Sequence, residues 1–448
     1  MTIDLVLKDL KAYIDGQVVE CCIAIESGRI FKIGREFQMP KADTILSLDG
    51  LLVLPGLIDV HVHLRDEGKA YKEDFYSGTA AAAAGGITTV LDMPNNDPVT
   101  MSAATFRNRI EIAKSRILVN VGFYSEFPSE IQEIDNIIKE GCMAFKLFLG
   151  EQVGGLDIAD DYKLTAAFKR IGNRVPVAVH AEDHEVLKAV RDELKQKGIN
   201  GLEAFFKAHP VEAEEKAIKR IITIAERTGV QVHFCHLSSE NGLKEVVKAK
   251  ASNLPVSCEV TPHHILISTK ELLNIGSLGL TLPPVRDIKH VNALWQGISK
   301  KFVDIIASDH APHATWEKSA NIIWNVKAGV PGLETTLSLL LNEVNKGKLA
   351  LADVVRLMAE NPAKIFSIKD RGSLREGNKA DLVVVDLKRE GYIDSQKFYS
   401  KAKYSPFDGW KVKGKPVKTF VGGLLVMDEG EIVGKTGCGE AIRRSVKY

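Results

Sequence analysis

Between residues 57 and 309 the chain repeats one pattern eight times: a short apolar run followed by a longer polar or helical stretch. The runs are 57–64, 88–93, 118–123, 143–149, 175–180, 230–237, 255–260 and 303–309. Segments of helical periodicity intervene, among them 77–84, 102–115, 131–140, 212–228 and 243–250. Strands that must cross over through helices pair in parallel, and parallel strands are buried on both faces, which is why they read as apolar runs. Eight such units over about 300 residues predict an α/β fold, a closed TIM-like (β/α)8 barrel rather than an open sheet. The run Ala80–Ala84 ending in Gly85-Gly86 suits a helix laid closely on that barrel.

The ends of the chain follow another rule. Alternating segments at 3–7, 11–14, 17–25 and 29–33, with turns at Asp15-Gly16 and Ser27-Gly28, predict a small antiparallel sheet. The same style returns at 380–386, 417–426 and 431–433. Both ends are expected to combine in one small β-sandwich domain. The expected division is 1–52 and 369–448 for that domain and 53–368 for the barrel. The basic stretch Lys411-Val412-Lys413-Gly414-Lys415 reads as a solvated loop.

Composition removes several function classes. Fifty-nine basic against fifty-eight acidic residues leave a net charge of +1, without the basic stripe a nucleic-acid binder needs. No apolar run approaches the roughly 20 residues of a membrane span. The first residues mix acids and bases and lack the pattern of a secretion signal, so a cytosolic, cytoplasmic location is expected. Cys21, Cys22, Cys142, Cys235, Cys258 and Cys438 are scattered and are expected to be reduced, mostly buried thiols. Gly434-Lys435-Thr436 lacks the upstream glycine of a phosphate-binding loop.

The chemistry gathers at the C-terminal ends of the predicted strands, where barrel active sites are built. The first run ends Asp59-Val60-His61-Val62-His63-Leu64-Arg65. Strand alternation puts Asp59, His61 and His63 on one face. Taken alone, His-x-His fits a metal pair and a hydrogen-bonded core pair equally well. Lys146 lies in the apolar run Ala144-Phe145-Lys146-Leu147-Phe148-Leu149. A buried ammonium must find a carboxylate or lose its charge. A neutral amine could take up carbon dioxide as a carbamate able to bridge two metals; alone, the ion-pair reading is the better one. His180 closes the fifth run, His236 the sixth, and Asp309 the eighth. His233, of opposite parity to His236, is expected to face the helices in a structural role. His61, His63, Lys146, His180, His236 and Asp309 together, nitrogen and oxygen donors without thiolate, predict a binuclear site suited to zinc, then cobalt or manganese.

Longer motifs surround these residues. They are Pro55-Gly56-Leu57-Ile58-Asp59-Val60-His61-Val62-His63-Leu64-Arg65, Asp92-Met93-Pro94-Asn95-Asn96 and Glu259-Val260-Thr261-Pro262-His263-His264. Further on stand Ser308-Asp309-His310-Ala311-Pro312-His313, Pro331-Gly332-Leu333-Glu334-Thr335, Asn361-Pro362-Ala363-Lys364 and Gly377-Asn378-Lys379-Ala380-Asp381-Leu382. Over nearly its whole length the chain resembles the amidohydrolase superfamily, and within it the class I dihydroorotases. The resemblance implies zinc-dependent, reversible cyclisation of N-carbamoyl-L-aspartate to L-dihydroorotate in pyrimidine biosynthesis. It implies one metal held by His61, His63 and Asp309, a second by His180 and His236, and carbamylated Lys146 as the bridge. Asp309 would carry the proton. Arg65, Asn95, His313, Pro331 and Gly332 would receive the substrate, Arg65 as a planar fork for its carboxylate. Hydantoinases, dihydropyrimidinases and allantoinases, the alternative enzymes, usually carry other residues at Arg65 and His313. A non-catalytic scaffold is a third reading, though no ligand position is missing. A homodimer and a complex with aspartate transcarbamoylase are the implied partners. Asp59 is expected to orient a ligating histidine, and His263 and His264 to order a loop. One departure stands out: Leu282-Pro283-Pro284-Val285-Arg286 has leucine where the family carries asparagine. The segment 314–328, polar and holding Trp316 and Trp324, is a candidate to close over substrate.

Overall fold

The computed structural model describes residues 2–320 and 322–444. Eight parallel strands form the barrel sheet in chain order. They are β6 (Leu57–Val62), β7 (Ile87–Asp92), β8 (Asn120–Glu126), β9 (Ala144–Phe148), β10 (Val177–His180), β11 (Val232–Phe234), β12 (Val256–Val260) and β13 (Ile305–Ile306). A parallel bridge between Val62 and His310 joins the last unit to the first, and the His63 N–H donates to the His310 carbonyl at 2.8 Å. The predicted closed barrel is therefore what forms.

Its interior is filled by Ile58, Val60, Leu91, Tyr124, Ala144, Ala178, Cys235, Ile305 and Ala307, with Phe366 and Ile442 packed in the same cluster. Polar side chains cap the helices that follow the strands. Asp74, Ser102, Asp160, Asp183 and Ser239 each accept a hydrogen bond from a first-turn backbone N–H. The predicted tight helix is Phe75–Ala84, with Ala80, Ala81, Ala82 and Ala83 wholly buried. A Cβ on Gly85 would collide with the Leu333 carbonyl, so only glycine permits this approach.

The two chain ends share one nine-stranded mixed sheet. It holds β1 (Ile3–Ile14), β2 (Gln17–Glu26), β3 (Arg29–Gly34), β4 (Ala42–Ser47), β5 (Leu52–Pro55), β14 (Leu382–Tyr392), β15 (Lys411–Val421), β16 (Leu424–Asp428) and β17 (Glu431–Ile432). The two segments read at 3–7 and 11–14 are one strand, bent at a register shift between Leu7 and Leu10. The run 411–415, read as a loop, begins β15. Val412 is buried while Lys411 and Lys413 point outward, a period of two that the lysines obscure. No helix among the described residues is long and apolar enough to cross a membrane.

Buried Asp381 ties sheet to barrel. Its carboxylate accepts from Asn120 Nδ2 of β8 at 2.9 Å, from Arg371 Nε at 2.7 Å and from the Gly422 N–H at 2.7 Å. Removing one partner of such a network strands the others without water. Asp381→Ala is expected to lower unfolding free energy by about 3 kcal/mol, read from urea denaturation, with little change in turnover of the molecules that remain folded.

Candidate active site

At the C-terminal mouth of the barrel six side chains from five strand ends come into one cluster. His61 Nε2 and His63 Nε2 each lie 3.3 Å from Asp309 Oδ1. Lys146 Nζ is 3.5 Å from His61 Nε2. The His61 and His236 rings are 5.1 Å apart, and His236 Nε2 is 3.1 Å from His180 Nδ1. Donor atoms of His61, His236 and Asp309 all fall within 4.8 Å of one another. His236 Nδ1 is buried without a hydrogen-bond partner.

Strand parity alone does not explain this convergence. His233 and Cys235 both face the barrel interior, so His233 does not face the helices as expected; its ring lies against Phe366. His236 reaches the cluster because its backbone turns left-handed, at φ 32°. Asp309 at φ 45° and Arg65 at φ 61° share that conformation, which costs a non-glycine residue about 1–3 kcal/mol and gathers at functional sites. In β6 a register shift between Asp59 and Val62 breaks the alternation. Asp59 consequently accepts from the backbone N–H of His61 at 3.1 Å and of Ser308 at 3.0 Å, and so fixes main chain rather than an imidazole.

The imidazoles are oriented by other groups. Glu259 of β12 lies 2.5 Å from His61 Nδ1 and 2.9 Å from His233 Nε2, and accepts from the His236 N–H at 3.1 Å. Asn95 Oδ1 is 2.7 Å from His63 Nδ1. Glu182 sits 2.9 Å from His180 Nε2 and 3.0 Å from His209 Nδ1. Sequence reasoning assigned Glu259 and Glu182 no role. Glu259, like Lys146, is a charge inside an apolar strand and is as costly to bury unpaired.

Burial sets the protonation. Desolvation, with Lys146 adding to it, lowers His61 to about 4, and desolvation also takes His63 and His236 well below the usual histidine range. Neutral imidazoles are what a metal requires. Burial raises Asp309 against the pull of His61 and Lys146. Lys146 is wholly buried, and its nearest polar contacts are His61 and the Cys235 thiol at 3.1 Å, with no carboxylate in ion-pair range among the described residues. Neutral nitrogen donors gathered around one carboxylate, with an orphaned imidazole nitrogen among them, fit a divalent cation centre.

Arg65, Asn95 and His313, expected to receive substrate, follow β6, β7 and β13 in the chain. Arg65 is buried, its Nε has no partner, and no carboxylate pairs with it among the described residues. His313 stands nearby, but both ring nitrogens are engaged: Nε2 with the Ala328 carbonyl at 3.1 Å and Nδ1 with Lys72 Nζ at 3.1 Å. The Gly332 N–H donates to His310 Nδ1 at 3.2 Å, and Val330, just before Pro331, pairs with His310. His310 itself turns to Glu73 at 3.2 Å, away from the candidate ligands. His264 links Thr261 at 2.8 Å to the Pro283 carbonyl at 3.1 Å, tying together the segments around it, whereas His263 Nε2 is buried without a partner. Leu282 lies in an apolar cluster with Leu280, Val285 and Ile323. Of the segment 314–328, Thr315–Lys318 is a short helix.

The model of the Amidohydrolase family matches residues 52–426. The chain belongs to that family. It is 38% identical over 418 residues to a dihydroorotase of Methanothermobacter thermautotrophicus, covering 93% of each chain. It is 39% identical to a dihydroorotase of Pyrococcus horikoshii, over 94% of this chain and 91% of that one. Among solved structures, the L-hydantoinase (dihydropyrimidinase) of Arthrobacter aurescens superposes with a TM-score of 0.95 at 30% identity, covering 99% of this chain and 100% of that chain. Family membership makes the chain a metal-dependent amide hydrolase, in line with the donor set described above.

Groups that hold a metal ligand in orientation typically contribute 10–100-fold to affinity. Glu259→Gln keeps the shape but can no longer accept from His61, His233 and the His236 N–H as a carboxylate. Its divalent-metal affinity, measured by competition with a chromophoric chelator, is expected to fall about 10–100-fold.

Proposed function

We propose that this chain is a dihydroorotase, closing N-carbamoyl-L-aspartate to L-dihydroorotate and reopening it. The observation that carries this over a hydantoinase or dihydropyrimidinase reading is Arg65. A buried guanidinium without a carboxylate partner is costly unless the substrate brings one. Dihydroorotate carries a carboxylate on its ring, whereas hydantoin and dihydrouracil do not. The sequence relatives named dihydroorotase point the same way.

In this reading His61, His63 and Asp309 would hold one zinc ion and His180 and His236 a second, with Lys146, as a carbamate, a ligand shared between them. Bound there, two such ions would bring the pKa of a coordinated water to about 7 and polarise the amide carbonyl. The remaining work falls to the protein. Arg65 fixes the ring carboxylate through its fork, and Asn95, its oxygen held by His63, offers the amide NH2 to the same group. Pro331 and Gly332 form one wall, kept in place by His310. Orientation of this kind lowers the entropic cost of reaction. Asp309 takes the proton of the attacking water and delivers it to the ring nitrogen as the C–N bond breaks; cyclisation runs the transfer in reverse. The same proposal includes assignment to the class I dihydroorotases, a catalytic barrel over 53–368 carried by one β domain from 1–52 and 369–448, a homodimer, and docking with an aspartate transcarbamoylase.

The deciding experiment is turnover of dihydroorotate beside hydantoin and dihydrouracil. Dihydroorotate is expected to be favoured by at least about a hundredfold in kcat/KM, roughly the value of one buried charge-assisted contact; a preference for the uncharged rings contradicts the proposal. Asp309→Asn is expected to lose at least about 10²–10⁴-fold in kcat, with metal content by plasma emission showing how much of the centre survives. Arg65→Met is expected to raise KM at least about tenfold with a smaller change in kcat, measured under steady-state conditions.

A further inference from the structure

Glu73 is wholly buried in the loop between β6 and the helix Phe75–Ala84, and the proposed mechanism has not used it. Its Oε2 lies 3.2 Å from His310 Nε2 and accepts from the Ser400 hydroxyl at 2.5 Å. Its Oε1 faces the Ser77 hydroxyl and accepts from the Lys401 N–H at 3.4 Å. Ser400 and Lys401 belong to the segment that joins β14 to β15. One carboxylate thus meets donors from the first barrel helix, from the residue after Asp309, and from a connection of the nine-stranded sheet. A carboxylate offers about four acceptor positions, and these donors use them.

The other ring nitrogen of His310 fixes its tautomer. The Gly332 N–H meets Nδ1 at 3.2 Å, and a backbone amide can only donate. Nδ1 is therefore a lone pair, and the ring proton sits on Nε2, where Glu73 accepts it. The other tautomer would set an N–H against the Gly332 N–H. The main chain of His310 is held separately: its carbonyl accepts from the His63 N–H at 2.8 Å, its N–H donates to Ser308 Oγ at 3.0 Å, and it bridges to Val62 and Val330. The backbone stays in place whichever way the ring turns. Only the ring depends on Glu73.

We propose that Glu73 is a positioning residue for the reaction. By taking the Nε2 proton of His310 it keeps Nδ1 an acceptor for the Gly332 N–H, and so sets the wall on which substrate is placed. This rests on the dihydroorotase reading, which puts Gly332 against substrate. On its other side Gly332 is packed against Ser308, where an added Cβ would come within 2.8 Å of the serine Cβ. The wall is thus clamped between a close contact and a hydrogen bond, and Glu73 controls the second.

The test is a double-mutant cycle on Glu73 and His310, read from steady-state turnover of dihydroorotate by the metal-loaded full chain. Glu73→Ala is expected to raise KM at least about tenfold, roughly the value of one buried hydrogen bond, with metal content by plasma emission unchanged. Glu73→Gln keeps an acceptor oxygen and is expected to recover part of the loss. His310→Asn places an oxygen near the position of Nδ1, able to accept from Gly332 without help from Glu73. In that background Glu73→Ala is expected to change KM by less than about twofold. A purely structural anchor would lower the folded fraction, and with it kcat, at unchanged KM. Should Glu73→Ala fail to fold by circular dichroism, Glu73→Met carries the same cycle. A folded Glu73→Ala or Glu73→Met with KM within about twofold of wild type, or losses that multiply in the double variant, overturns the inference. Wild-type protein that opens hydantoin but not dihydroorotate would instead overturn the dihydroorotase reading, and the cycle is then read on hydantoin.

Discussion

The cluster at the barrel mouth depends on one buried carboxylate. Glu259 reaches His61, His233 and the backbone of His236 at once, from a strand whose other side chains are apolar or small. A lone carboxylate at that depth would be far too costly to keep ionised. Here the two histidines outweigh desolvation and hold it well below the usual carboxylate range. In return it fixes the tautomer and direction of His61 and the backbone turn that brings His236 inward. The charge is retained because several donors converge on it, and they converge because the barrel closes.

The chain ends are fastened to the closed barrel. The Val62–His310 bridge seals the sheet at the mouth, while Asp381 and Asn120 fasten the nine-stranded sheet to the barrel at another point. A segment near the C-terminus returns to the barrel as well: Ala441 bridges to Val121 of β8, and Ile442 packs with the interior cluster. The rigid parts of the molecule thereby surround the residues held in left-handed conformations, Arg65, His236 and Asp309. Such strain persists only where the surroundings over-determine it.

Much of this was legible from residue patterns. The eight apolar runs gave the barrel, because parallel strands buried on both faces leave that signature. The candidate ligands were found because a histidine, lysine or aspartate at the end of such a run has few inexpensive alternatives. What escaped was whatever depends on a break in regular geometry. Strand alternation put His233 outside and Asp59 behind an imidazole. A backbone turn at His236 and a register shift in β6 reversed both. The strand beginning at Lys411 was hidden by lysines on its solvent side. Glu259 was visible in its motif, yet its partners come from strands distant in sequence, and no local pattern announces them.

Lys146 and the five residues around it are proposed to form one binuclear centre. It is tested most directly by crystallography of protein loaded with zinc under carbon dioxide, with anomalous scattering measured at the zinc edge. Two anomalous peaks joined by planar density extending from Lys146 Nζ are the predicted result. A single peak, or a bare lysine side chain beside fully occupied metal, would contradict the account.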